Sequence, residues 1–158
     1  KRHVWKLHFG ASKSPFSSNH IMLNGDVKTQ NQLIAHIAVP SDVQPSYAPN
    51  GRSLVTVTIV GETAEALGLT SAEEVLDVAT KELRSWFGPD VDGWKNLAIQ
   101  HIEHALPEVG AGTALSGLPS TTEKAFECGD HTVHGSVEGA LLSAEKTSQR
   151  IIETFSSN

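Results

Sequence analysis

Cys128-Gly129-Asp130-His131-Thr132-Val133-His134-Gly135-Ser136-Val137-Glu138-Gly139-Ala140 changes character twice within a few residues. It follows Ala125-Phe126-Glu127, so the order reads as a strand ending near Cys128, a polar loop and a helix. Ser136 is the residue type that caps a helix, because its hydroxyl can accept a hydrogen bond from a free amide of the first turn. Beyond it Val137, Ala140, Leu141, Ala144, Ile151, Ile152 and Phe155 recur at helical spacing and predict an apolar stripe turned toward a core. Gly139, Ala140, Ser143 and Ala144 keep the first turns slim, so the backbone can come close to a partner. A helix start of that kind has unpaired amides at a positive dipole end, which suits a phosphate or the polar edge of a ring.

Upstream of this stretch, Gly110 to Pro119 is rich in Gly, Ser and Thr and reads as a flexible connection. Leu97 to Leu106 alternates and predicts a strand, with Ile102, His104 and Leu106 on one side and Ile99 and His101 on the other. Ser71-Ala72-Glu73-Glu74 has the form of a capping box, and Val75, Val78, Ala79, Leu83 and Trp86 continue it as one helical stripe that Gly88-Pro89 stops. The acidic stretch from Glu62 to Glu74 reads as solvated surface. Ser53 to Gly61, with Val55, Val57 and Ile59 against Thr56 and Thr58, is the clearest strand, since β-branched residues suit a pleated surface. Pro40, Pro45 and Pro49 remove backbone donors and predict a loop. His20 to Leu23 and Gln32 to Val39 flank Asn24-Gly25-Asp26 and predict a hairpin, and His3 to Phe9 alternates Trp5, Leu7 and Phe9 against Lys6 and His8 as one more strand.

The fold class expected is therefore α+β. A mostly antiparallel sheet with a covering helix occupies residues 1–109, and a strand-loop-helix segment occupies residues 110–158. Lys plus Arg total 12 against 18 Asp plus Glu, for a formal charge of -6, which argues against a nucleic-acid partner. Cys128 is the only cysteine and cannot form an internal disulfide, and there is no long apolar run, so an aqueous reducing compartment, cytoplasmic or plastid-like, is expected. Lys1 leads straight into a strand, and the expectation is a piece of a longer protein.

The string CGDHTVHGSVEGALLSAEKT, residues 128–147, resembles the last FAD-contacting motif of flavin amine oxidases, phytoene desaturases and related oxidoreductases. That motif ends a strand in Gly-Asp or Gly-Glu and opens a helix with Ser-x-x-Gly-Ala. Val39-Pro40-Ser41, Tyr47-Ala48-Pro49, Leu83 to Gly88 and Ala105-Leu106-Pro107 resemble the family's substrate domain more weakly, in the same order. The resemblance implies a two-domain enzyme in which FAD takes a hydride from a carbon of a small organic or isoprenoid-like substrate. It implies a cofactor-contacting set of Gly129, Asp130, Ser136, Val137 and Glu138. In that set Asp130 accepts from the ribityl or pyrophosphate region, Gly129 permits close approach, and the Val137 amide donates to the flavin pyrimidine carbonyl. No G-x-G-x-x-G follows a strand, so a separate N-terminal half that grips most of the FAD is the implied partner, and self-association of apolar surface left uncovered is expected. The rival reading is a non-catalytic ligand-binding or assembly module derived from that fold.

Other groups read more plainly. His131 and His134 beside Cys128 lack the second, distant pair that zinc sites carry. His101 and His104 read as strand-surface histidines, and Trp5, Trp86 and Trp94 as core aromatics. No catalytic residue is assigned.

Overall fold

A computed structural model describes residues 2–16, 18–26, 32–107, 121–122 and 125–156. The chain divides into two compact units, His3–Glu103 and His104–Asn158, the latter together with Lys1–Arg2. The expected connection at Gly110 to Pro119, and the boundary at 109/110, lie outside the described residues.

The first unit holds all but Arg2 and residues 104–106 of a five-stranded sheet: β1 Arg2–Ala11, β2 Met22–Leu23, β3 Ile34–Ala38, β4 Ser53–Val60 and β5 Lys95–Leu106, in the order β2-β3-β4-β1-β5. The pairs β1/β4, β2/β3 and β3/β4 are antiparallel. His3 meets His101 while the Asn96 side-chain Nδ2 donates to the His8 carbonyl, so β5 also runs opposite to β1. Alternation along β1 and β4 sends Trp5, Leu7, Phe9, Val55, Val57 and Ile59 to one face, where all are buried. Helix α3, Ala72–Phe87, covers that face with Val75, Ala79 and Leu83. The helices preceding it are α1 Pro40–Val43 and α2 Gly61–Ala66.

The start of α3 follows the sequence closely. The Ser71 hydroxyl accepts from the Glu74 amide, and the Glu74 carboxylate accepts from the Ser71 and Thr70 amides. Those hydrogen bonds hold the Glu74 carboxyl below its ordinary value. The helix stops at Gly88, whose φ of +70° favours glycine. Glu82, on the sheet side of α3, accepts from the Leu33 and Ile34 amides at the irregular start of β3. Burial pushes its carboxyl up and the two amides pull it back.

Several expectations change. The prolines at 40 and 45 open the short helix α1 and a 3-10 turn at Pro45–Tyr47, because proline is already set for a first helical position where its missing donor is not needed. The acidic stretch keeps Glu62, Glu65, Glu73 and Glu74 exposed as expected, but it also holds α2, which buries Ala64. Strand β2 is only Met22–Leu23, and Ile21 lies outside it and exposed. Trp86 is at the exposed edge of α3, whereas Trp5 and Trp94 belong to the core region as expected.

The second unit holds the short pair β6 Thr121–Thr122 and β7 Ala125–Phe126, a 3-10 turn at Asp130–Thr132, and α4 Val137–Ser156. Two expectations fail here. The strand expected to end near Cys128 stops at Phe126, and Cys128 lies beyond it, exposed. The face of α4 that packs within its unit is Gly139, Ser143 and Thr147, while Val137, Leu141, Ile152 and Phe155 are 64–80% exposed. Apolar periodicity marks which face can be buried, and the small face won here because two hydroxyls satisfy the loop beside it.

Candidate cofactor-contacting segment

The loop between β7 and α4 closes on that small face. The Ser143 hydroxyl accepts from the Gly129 amide at 3.0 Å and lies 2.7 Å from the Thr132 hydroxyl, which itself donates to the Gly129 carbonyl. One turn along, the Thr147 hydroxyl donates to the Glu127 carbonyl. Ser143 is 2% exposed, so these bonds form away from water, where an unmade partner costs most. Gly129 has φ of +153°, and a Cβ there would lie 2.6 Å from two ring atoms of His131. Its lack of a side chain serves the packing of His131, whose Nε2 is 2.9 Å from a Glu127 oxygen. The Cβ side of Gly129 is thus taken up by the His131 ring.

Asp130 follows in the 3-10 turn with its side chain 37% exposed. It borders an open cavity of about 700 Å³ lined also by His104, Leu106, Pro107, Glu127 and His131. Its nearest ionic neighbour, His131 Nδ1, is 4.0 Å away, so both carboxylate oxygens can accept from a ligand. The Ser136 hydroxyl accepts from the Gly139 amide and the Ser136 carbonyl from the Ala140 amide, the pattern of an N-cap. Between them the Val137 and Glu138 amides remain unpaired within the described segment, at the positive end of a 20-residue helix. Ser136 also meets His134 Nδ1 at 2.9 Å, so His134 supports the cap.

The five residues proposed from the motif therefore lie on one short segment, and they divide by role. Asp130, Val137 and Glu138 present an acceptor and two donors outward, whereas Gly129 and Ser136 shape the loop and the helix start. An exposed carboxylate and free amides fit the hydroxyl-rich linker and the polar ring edge of a flavin dinucleotide. The neighbouring histidines were read from sequence only as loop residues, and their structural partners Glu127 and Ser136 were not anticipated. The local signal for the first was the i, i+4 spacing of Glu127 and His131.

Histidine also meets histidine in the first unit. His3 Nδ1 is 2.8 Å from His101 Nε2, His3 Nε2 is 3.1 Å from a Glu65 oxygen, and the His101 ring stacks on Trp5 at 4.2 Å. His101 was expected at the strand surface, and it is there, with this partnership added.

The fold is shared with solved structures. An oxidoreductase from Methanosarcina mazei superposes with a TM-score of 0.66 at 16% identity, covering 94% of this chain and 34% of that one. A protein from Pyrococcus furiosus gives a TM-score of 0.55 at 16% identity, covering 96% of this chain and 32% of that one. The chain thus spans about a third of the length of these structures. No curated protein matches the sequence significantly. The family model described as flavin containing amine oxidoreductase matches residues 2–152. With nearly the whole described chain inside that match, and the Gly129–Asp130 turn leading into a capped helix, this chain belongs to the flavin containing amine oxidoreductase family.

Proposed function

We propose that this chain supplies the substrate-domain sheet and the closing cofactor-contacting segment of a flavin-dependent oxidoreductase, with FAD as its cofactor. The observation that carries the reading is the juxtaposition of the outward Asp130 carboxylate with the unpaired Val137 and Glu138 amides at the start of α4. Flavin, when bound, supplies the redox chemistry by accepting a hydride from a substrate carbon. What the chain contributes is orientation and charge. Asp130 holds a cofactor hydroxyl. The α4 amides stabilise negative charge at a ring carbonyl, as a helix N-terminus does for developing anions.

The glycine-rich turn that cradles a dinucleotide pyrophosphate is absent from this sequence, and the proposal assigns that role to a separate FAD-binding half. The exposed apolar face of α4 supports this, because Val137, Leu141, Ile152 and Phe155 form a surface of the kind another layer covers. The 158-residue chain alone is then expected to bind FAD weakly, and equilibrium dialysis giving submicromolar affinity would contradict the division of labour. In the complete protein, Asp130→Ala should lower the flavin-to-protein ratio after gel filtration and Asp130→Asn should lower it less. Loss of one hydrogen bond to a charged acceptor corresponds to roughly tenfold to a hundredfold in affinity. Unchanged flavin content in Asp130→Ala, with loss in His131→Ala, would move the contact to the histidine.

A further inference from the structure

The sheet face turned away from α3 carries apolar Leu54 and Leu97 beside Gly10 at one end and a polar patch with charges of one sign at its centre. His36, Thr58 and Lys6 stand on one rung of three adjacent strands, since His36 pairs with Thr58 in β3/β4 and Lys6 pairs with Thr58 in β1/β4. The Lys6 ammonium donates to the Thr58 hydroxyl at 2.7 Å. On the next rung His8 pairs with Thr56, and His8 Nε2 reaches a Gln100 oxygen at 3.4 Å. Strands β1, β3 and β4 themselves contain no Asp or Glu. The acids of the adjoining short helices are engaged elsewhere, Asp42 of α1 by the Ser14 hydroxyl and Glu65 of α2 by His3, while Glu62 of α2 is exposed. Lys6 and His36 are half-buried with no carboxylate within ion-pair distance among the described residues.

A half-buried ammonium beside an imidazole, without a counter-ion, is held at an electrostatic cost that an anion would relieve. Burial pulls the Lys6 ammonium below its ordinary value, and burial followed by the nearby Lys6 charge pulls the His36 imidazole down. The same arrangement penalises a cation. A protonated amine brought to the rung meets Lys6, His8 and His36, while Asp26, in the turn after β2, lines a cavity with His36 and is itself already engaged.

We propose that the Lys6–Thr58–His36 rung binds the carboxylate head of an acidic small-molecule substrate, and that the face discriminates against a cationic amine. Lys6 supplies the charge-assisted hydrogen bond, Thr58 holds the ammonium over the central strand, and His36 joins as a second donor when it takes up a proton. That the ligand is the enzyme's substrate rests on the flavoenzyme reading above. Its binding to the rung does not.

The test uses the 158-residue chain and three probes of one shape: benzoate, benzamide and benzylamine. Binding is read by calorimetry and by the ring-proton resonances of the histidines. Benzoate should bind saturably and shift the His36 resonances, and its affinity should rise as pH falls and His36 protonates. Benzamide and benzylamine should bind at least about tenfold more weakly. Lys6→Met, which keeps the apolar stem, should weaken benzoate by about tenfold or more, and Lys6→Arg should restore most of it. Lys13→Met, which removes a surface lysine paired with Asp90, should change nothing. Equal binding of the three probes, no saturable benzoate binding, or a folded Lys6→Met variant with unaltered affinity would overturn the proposal. Flavin is absent from this assay, so failure of the Asp130 experiment would leave its outcome standing.

Discussion

His36 and Gly129 make the clearest cases for single-residue tests. The His36 imidazole is pulled below its ordinary value of 6.5, first by burial and then by Lys6. Below that value the unfolded chain takes up the proton more readily than the folded one, so stability falls as pH drops from 6.5 toward the lowered folded value. His36→Gln should remove this acid-side loss in a pH series of thermal unfolding. In Lys6→Met the His36 titration should move up only part of the way, because burial is the larger cause. Gly129 combines a φ of +153° with the His131 ring on its Cβ side. Gly129→Ala should therefore cost about 1–3 kcal/mol in the second unit. Adding His131→Ala should recover the steric part and leave the backbone strain, a non-additive result that a double-mutant cycle reads directly.

Elements depend on bonds at their ends and at their contacts. Ser71→Ala removes the acceptor for the Glu74 amide at the start of α3 and should cost about 1 kcal/mol in chemical denaturation. Glu82→Ala should cost more, about 2 kcal/mol or above, because it leaves the Leu33 and Ile34 amides without their acceptor at a place where β3 is irregular. The first change should leave the sheet intact. The second should loosen β3, visible as faster amide exchange at Ile37 and Ala38 than in Ser71→Ala. The opening of α3 was legible in four consecutive residues, since a capping box is local chemistry. The Glu82 contact was not, because it joins residues whose separation is 49 positions.

At the scale of the molecule, the exposed apolar residues of α4 carry the consequence. Val137, Leu141, Ile152 and Phe155 are all more than half exposed. The folded chain is accordingly expected to self-associate or to bind a hydrophobic dye. Leu141→Lys and Phe155→Lys together should lower both without lowering the unfolding temperature of the chain, since neither side chain is buried. A strictly monomeric, dye-free parent protein at high concentration would contradict this.

Alternation and capping chemistry in the sequence alone determined the antiparallel strands around Trp5, Leu33, Val55 and Ile99, the helix from Ser71, and the turn and helix from Gly129 onward. Each of those signals acts over a few residues and reports directly on backbone geometry. The motif at residues 128–147 pointed to the family by the same local means. Tertiary structure decided what those elements meet. It buried the Gly139–Ser143–Thr147 face of α4 in place of the apolar stripe, because two hydroxyls there satisfy the Gly129 and Glu127 backbone. It also set the strand order β2-β3-β4-β1-β5, in which the adjacency β3-β4-β1 brings Lys6 and His36 to either side of Thr58. Period two tells which face a side chain takes, but the neighbour across the sheet follows from how distant strands pair, and that pairing is fixed by the packing of the whole core.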